Sequence, residues 1–154
     1  MPMRIWRPQD LDASIEVFQR AVHEIAVRDY TLEELRAWAP EPPDVAAWSR
    51  LMEDLKAWTC EIRGRIAGFI ASDTPGHIRL LYVHPDFQRM GVASALLETV
   101  IADAGLHGVD TLTTEASRTG RPFFEQAGFA VLREEQATRN GVALQRYVMA
   151  RPLG

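Results

Sequence analysis

Apolar positions along this chain switch between two periods, and the switches mark its elements. Ile15, Phe18, Val22 and Ile25 recur at helical spacing, so a helix is predicted from a cap at Asp10 or Asp12 through about Val27. A first strand, Met3 to Arg7, precedes it. Thr31-Leu32-Glu33-Glu34 has the form of a capping box opening a short helix to Trp38, which Pro40, Pro42 and Pro43 break. Asp44 can cap a further helix through about Leu55. Trp58 to Ile62, the turn Arg63-Gly64 and Arg65 to Ser72 read as a β-hairpin. After the turn Thr74-Pro75-Gly76, Ile78 to Val83 is rich in β-branched, aromatic and apolar residues and reads as a strand. Val92, Leu96, Val100 and Ala93, Leu97, Ile101 return to helical spacing, predicting a helix from Gly91 to Ala104 that stops at Gly105. A strand at Asp110 to Thr114 and a helix at Thr119 to Ala127, closed by Gly128, follow. Two last strands, Phe129 to Glu134 and Val142 to Ala150, are joined by a turn at Asn140-Gly141.

Strand, helix, strand around Gly91 implies a parallel pair with a crossover helix, and the hairpins imply antiparallel pairing elsewhere. The expected fold class is therefore α/β of mixed character, with a mostly antiparallel sheet and helices on both faces. Its 154 residues suit one domain, residues 1–154.

The most informative stretch lies between the strand ending at Val83 and the helix that follows it: Gln88-Arg89-Met90-Gly91-Val92-Ala93-Ser94. Glycine and alanine two apart let backbone approach a ligand closely. A helix start adds unpaired N–H groups and the positive end of the helix dipole, which together suit an anion such as phosphate.

The pattern Gln88-x-x-Gly91-x-Ala93, after a strand ending in Val83, resembles the acetyl-coenzyme A loop of the Gcn5-related N-acetyltransferase superfamily. Glu115-Ala116-Ser117 and Pro122-Phe123-Phe124-Glu125-Gln126-Ala127-Gly128-Phe129 are similar to that superfamily's later strand, helix and Gly-Phe turn. Ile5-Trp6-Arg7-Pro8-Gln9-Asp10 at the start, and Asn140-Gly141-Val142-Ala143-Leu144 with Tyr147 and Met149 at the end, extend the resemblance over nearly the whole chain. It implies the acyl-CoA N-acyltransferase fold, with the central parallel pair splayed and the pantetheine arm lying in the splay. It implies acetyl-CoA as co-substrate and transfer of its acetyl group to a primary amine by direct attack. Leu81, Tyr82 and Val83 would pair with the pantetheine arm. Arg89, Met90, Gly91, Val92, Ala93 and Ser94, with Gln88, would hold the pyrophosphate. Gln88 replaces the arginine often found there and brings no charge. Ser117 stands where many relatives carry an asparagine that contacts the arm, and it can equally cap the next helix. Phe124 stands where many relatives carry the tyrosine that protonates the leaving thiolate; phenylalanine has no proton to give. A coenzyme A-binding module without turnover is the rival reading that Phe124 favours.

A base is also needed. His77 lies at the spacing before Gln88 where one branch of the superfamily carries a glutamate, and its imidazole titrates near neutrality. A turn-edge histidine is the plainer reading. Asp29 and Tyr30, at the end of the first long helix, are the alternatives. Glu33, Glu34, Glu41 and Asp44 would add negative charge near the acceptor and suit a cationic amine. Trp38, Trp48 and Trp58 read as core rather than pocket.

The net charge of −4 weighs against a nucleic-acid surface, so the anionic co-substrate needs a local field, with Arg79, Arg89, Arg118 and Arg121 as its sources. The four histidines show no metal spacing, and no metal is expected. The single cysteine, Cys60, excludes an internal disulfide and reads as a small buried hydrophobe in a reducing compartment. With no apolar signal core and no membrane-length apolar run, the expected location is the cytoplasm, with no membrane partner. The acceptor stays open among small amines, antibiotics, polyamines, amino acids and peptide amines. A homodimer through the C-terminal strands is compatible with the pattern.

Overall fold

The computed structural model describes residues 1–154. Seven strands form one sheet in the order β1-β2-β3-β4-β5-β7-β6: β1 Met3–Ile5, β2 Lys56–Ile62, β3 Arg65–Thr74, β4 His77–Val83, β5 Thr111–Ser117, β6 Ala130–Arg139 and β7 Val142–Pro152. Every neighbouring pair is antiparallel except β4 and β5, which are parallel. Helices α1 Leu11–Arg20, α2 Leu32–Trp38 and α3 Val45–Glu53 pack with their apolar residues on one face. Helices α4 Val92–Leu106 and α5 Arg121–Gln126 cover the other. The expected mixed sheet with helices on both faces is the one observed.

Side-chain caps fix the starts of α2 and α3. Thr31 and Glu34 exchange bonds as a capping box: Glu34 N donates to Thr31 Oγ1 at 3.2 Å and Thr31 N to Glu34 Oε1 at 2.9 Å. Asp44 caps α3 by accepting from Ala47 N at 2.9 Å. Several boundaries differ from expectation. The α-helical part of the first helix ends at Arg20, and a turn of π-helix, Ala21–Ile25, then a 3-10 turn, Ala26–Arg28, carry the chain on. Helix α4 runs through Gly105, which has room and ordinary backbone angles, to Leu106. Strands β5 and β6 run longer than their apolar stretches, because β7 pairs with both along their length.

Two features of the sheet create its central opening. Strands β4 and β5 pair only at His77–Thr113 and Ile78–Thr114, and then diverge. Thr114 Oγ1 donates to the Ile78 carbonyl at 3.0 Å and pins the closed end. Just past that point Arg79 is an extra residue: Ala71 pairs with Leu80 and Ser72 with Ile78. Such a bulge bends and re-aims its strand. Helix α4 sits close beneath, because Gly68 lacks a side chain. A Cβ there would lie 2.8 Å from the Tyr82 carbonyl oxygen and 3.0 Å from Val92 Cγ1.

Candidate active site

The turn before α4 builds one half of the site from backbone. Arg89 and Gly91 both have positive φ, 60° and 79°. A Cβ at Gly91 would meet nothing of the protein within 4 Å, so its left-handed backbone, rather than crowding, calls for glycine there. The amides from Arg89 to Ser94 take no backbone carbonyl as partner; the first that does is Ala95, which donates to Gly91 at 3.0 Å. These donors at the positive end of a fifteen-residue helix fit an anion with closely spaced oxygens. Arg89 lies in this turn, exposed and without a carboxylate partner. The other arginines expected to supply local field do not serve it. Arg118 donates to Gln145 Oε1 at 2.9 Å and lies over the Tyr30 ring, and Arg121 lies over Tyr147 and pairs with Glu125 at 3.2 Å. Arg79 is on the opposite face.

From this turn a cavity of about 250 Å³ reaches the opened sheet. Gln88 and Ala93 line it, then Leu81, Tyr82 and Val83 of β4, Ser117 of β5, and Phe123 and Phe124 of α5. Beyond Ile78, the β5-facing side of β4 has no ladder partner, so its amides and carbonyls remain free to pair with an extended ligand. Ser117 Oγ accepts from Gly120 N at 3.0 Å, which fixes the turn into α5 and leaves the hydroxyl proton available. Phe124 is buried, edge-to-face against Phe123 and Phe129.

A second cavity, of about 270 Å³, lies on the α1–α3 face. Its walls are aromatic: Phe18 meets Trp38, Trp48 and Tyr82 edge-to-face. Trp38 and Trp48 thus line a pocket, contrary to the core reading, while Trp58 is core. The tip of the β6–β7 hairpin closes the far wall, tied down by Asn140 Nδ2 donating to the Ala37 carbonyl at 2.8 Å. The two cavities share Trp38, Leu81, Tyr82, Ser117, Gly120 and Phe124. They meet where the sheet is open.

Of the three residues expected to do proton chemistry, only Tyr30 reaches either cavity. Its hydroxyl accepts from Arg118 N at 2.8 Å and donates to the Gln145 carbonyl at 3.3 Å. Burial raises its pKa and outweighs the opposing Arg118 N–H and charge, so it is a phenol at neutral pH, not a base. Asp29 is exposed and lines neither cavity; it accepts at 2.8 Å from Oγ1 of Thr119, a residue on the rim of the co-substrate cavity. His77 sits at the closed end of the splay, with Nδ1 2.6 Å from Asp73 and Nε2 2.8 Å from Glu115. Burial alone lowers its pKa, but the bonds and charges of Glu115 and Asp73 outweigh it and raise the pKa. A ring held as imidazolium between two carboxylates has no lone pair for a substrate, which argues against His77 as the base that takes a proton directly. Glu115 is the member of this chain that faces the aromatic cavity. The sequence offers Glu115 only within the Glu115-Ala116-Ser117 strand motif, with no role of its own; alternation through Ser117 sets it opposite the buried Thr114 and Ala116.

The expected acidic lining is absent. Glu34 and Asp44 cap helices, Glu41 lies 3.1 Å from His23, Glu33 is exposed, and none of the four lines the aromatic cavity.

Comparison with known proteins agrees with this geometry. Residues 26–151 match the family model described as an acetyltransferase (GNAT) domain. The chain is 31% identical to the uncharacterized N-acetyltransferase YafP of Escherichia coli over 147 residues, covering 96% of this chain and 93% of that one. A GCN5-related N-acetyltransferase from Rhodopseudomonas palustris superposes with a TM-score of 0.95 at 27% identity, covering 99% of this chain and 95% of that one. YncA of Salmonella typhimurium, solved with acetyl-CoA, shares the fold at a TM-score of 0.66 and 19% identity, covering 100% of this chain and 94% of that one. A free-amide turn ahead of a helix, a sheet opened beside it, and these matches over most of the chain lead to one conclusion: the protein belongs to the Gcn5-related N-acetyltransferase (GNAT) family.

Proposed function

We propose that the protein transfers the acetyl group of acetyl-CoA to a primary amine by direct attack while both are bound. The observation that carries this reading is the meeting of the two cavities at Leu81, Tyr82, Ser117 and Phe124. One leads from the Arg89–Ser94 amides, which suit a pyrophosphate. The other is walled by aromatic side chains and suits a small acceptor.

The pantetheine arm pairs with the free edge of β4 over Leu81–Val83, and a β4 amide near Val83 donates to the thioester carbonyl. The neutral amine attacks the carbonyl carbon. The C–S bond breaks, the thiolate leaves, and the nitrogen gives up a proton. Glu115 takes that proton, directly or through a water, because its carboxylate faces the acceptor. His77 and Asp73 fix its position from behind. Proximity of the two reactants supplies much of the acceleration. Phe124 cannot protonate the thiolate. Ser117 and Tyr82 are the side chains at the junction with a proton to give, and burial pushes the Tyr82 phenol up to about 12. A thiolate whose acid has an ordinary pKa of roughly 8.5 can also leave unaided.

Phe124 supports a second reading, a domain that keeps coenzyme A as a ligand without turnover. Incubating the protein with acetyl-CoA and a primary-amine panel separates the two. The transferase reading expects free thiol and N-acetylated amine to form together. Tight acetyl-CoA binding without either product favours the binding module.

A further inference from the structure

The charges around the aromatic cavity do not balance. Four ionic side chains line it: Arg79, Glu115, Arg139 and Arg146. Two are already answered. Glu115 is held by the His77 ring at 2.8 Å, and Arg146 is paired with Glu135. Two are not. Arg79 makes no ion pair and no side-chain hydrogen bond, and Arg139 donates only to the carbonyl of its neighbour Thr138, at 3.1 Å. The cavity therefore presents two unanswered guanidinium groups and no unanswered carboxylate.

Their placement is set by the fold. Arg79 is the bulge residue of β4, inserted where the sheet opens. Arg139 ends β6 immediately before the Asn140-Gly141 turn, and Asn140 is bonded to α2 across the cavity. The two arginines thus reach the cavity from different walls. Both act on the same group at the cavity wall: each lowers the pKa of the Tyr82 phenol against the rise caused by desolvation. Between them lies the apolar surface of Phe18, Trp38, Trp48 and Tyr82.

We propose, resting on the acceptor-side reading above, that the acceptor is a small primary amine that also carries a carboxylate, and that Arg79 and Arg139 bind that carboxylate. A guanidinium offers a planar fork of donors that matches a carboxylate, and such charge-assisted pairs are stronger than neutral ones. A zwitterion answers the whole charge pattern at once. Its carboxylate meets the two arginines, its amine is drawn to Glu115 within the cavity, and its carbon body fills the aromatic surface. A polyamine would set further cations against two unanswered ones, which disfavours it. A cavity of about 270 Å³ suits a single amino acid or an amine of similar size.

The test uses matched amines on two skeletons: phenylalanine, phenylalaninamide and phenethylamine; and leucine, leucinamide and isopentylamine. Each is titrated calorimetrically into the protein saturated with coenzyme A, and each is separately offered with acetyl-CoA while N-acetylated product is measured by mass spectrometry. The carboxylated member of at least one set should bind at least about tenfold more tightly than its amide and its decarboxylated amine, the scale of one charge-assisted hydrogen bond. In the Arg79→Gln, Arg139→Gln double variant that ratio should collapse to within about twofold, while acetyl-CoA binds as before. Both arginines are exposed, so the variant is expected to fold. Equal or tighter binding by the amide or plain amine, no binding by either carboxylate, or a ratio that survives the double substitution would overturn the proposal. Failure of the transferase reading looks different: the carboxylate binds selectively and the arginines matter, yet no N-acetylated product forms. Efficient transfer to amines without a carboxylate sinks the carboxylate inference alone.

Discussion

The two sides of the opened sheet are made from different material. The side beside α4 is backbone: free amides from Arg89 to Ser94, the left-handed Gly91, and the unpaired edge of β4. The α1–α3 side is side chains gathered from α1, α2, α3, β4, β5 and the β6–β7 hairpin. A backbone site depends on a few consecutive residues and changes little when exposed side chains change. A side-chain site depends on residues far apart in sequence, and one substitution can alter what it accepts. One half of the molecule is thus suited to a constant co-substrate and the other to a particular acceptor.

The largest effect should come from breaking the backbone side. Gly91→Glu places a carboxylate where the anion belongs and forces a side chain to φ near 79°. Acetyl-CoA affinity should fall at least about a hundredfold by calorimetry, from charge repulsion and strain together, with circular dichroism unchanged. Unchanged affinity in a folded variant would remove the phosphate role of this turn.

Next in size is a break confined to the other side. Glu115→Gln should lower kcat about a hundredfold, the usual scale for losing a general base, and leave acetyl-CoA affinity intact. His77→Gln should lower kcat less, because His77 acts only through Glu115. If His77→Gln costs more than Glu115→Gln, the order of the chain is wrong and the imidazole is the nearer group.

These two breaks also separate what the sequence disclosed from what it did not. The anion turn was legible because Gln88 to Ser94 is contiguous and each property follows from the residues themselves: glycine for φ, a helix start for donors. The sheet and the helices on both faces were legible from periodicity. The acceptor side was not. Arg79 looked like a helper for the anionic co-substrate, but the bulge and the splay carry it to the other face. Arg139 and Tyr82 line one cavity only because the β6–β7 hairpin folds over α2, a long-range arrangement with no local signal. The acidic residues near α2 looked like a cation site, yet Glu34 and Asp44 are occupied in capping. His77 matched a spacing, and spacing says nothing of the two carboxylates that enclose it.

A smaller effect is expected at the junction. Phe124→Tyr supplies a phenol beside both cavities. If the thiolate leaves unaided, the rate of thiol release should stay within about threefold of wild type, the scale of a minor packing change. A rise of tenfold or more would mean that protonation of the leaving group limits the natural enzyme.

The smallest effect is on stability. The folded-state pKa of His77 is raised, so its bonds to Asp73 and Glu115 stabilise the fold fully at pH values below the unfolded value of about 6.5. That contribution is lost as pH climbs through the folded value. Asp73, whose own pKa is lowered despite the opposing effect of burial, sets the acid limit, where its protonation removes its side of the pairing. Thermal melts of wild type and His77→Gln should differ more at pH 6 than at pH 9. An equal difference at both would mean that the ring is not held charged.

The claim that the two sides act together on one acyl transfer is tested most directly by initial-rate kinetics with isotopically labelled acetyl-CoA and an acceptor from the amine panel, following free coenzyme A and N-acetylated amine at once. Direct attack in a ternary complex predicts equimolar release of the two products and intersecting double-reciprocal lines. Parallel lines, as an acetyl-enzyme intermediate gives, or acetyl-CoA bound with no N-acetylated amine formed from any member of the panel, would contradict it.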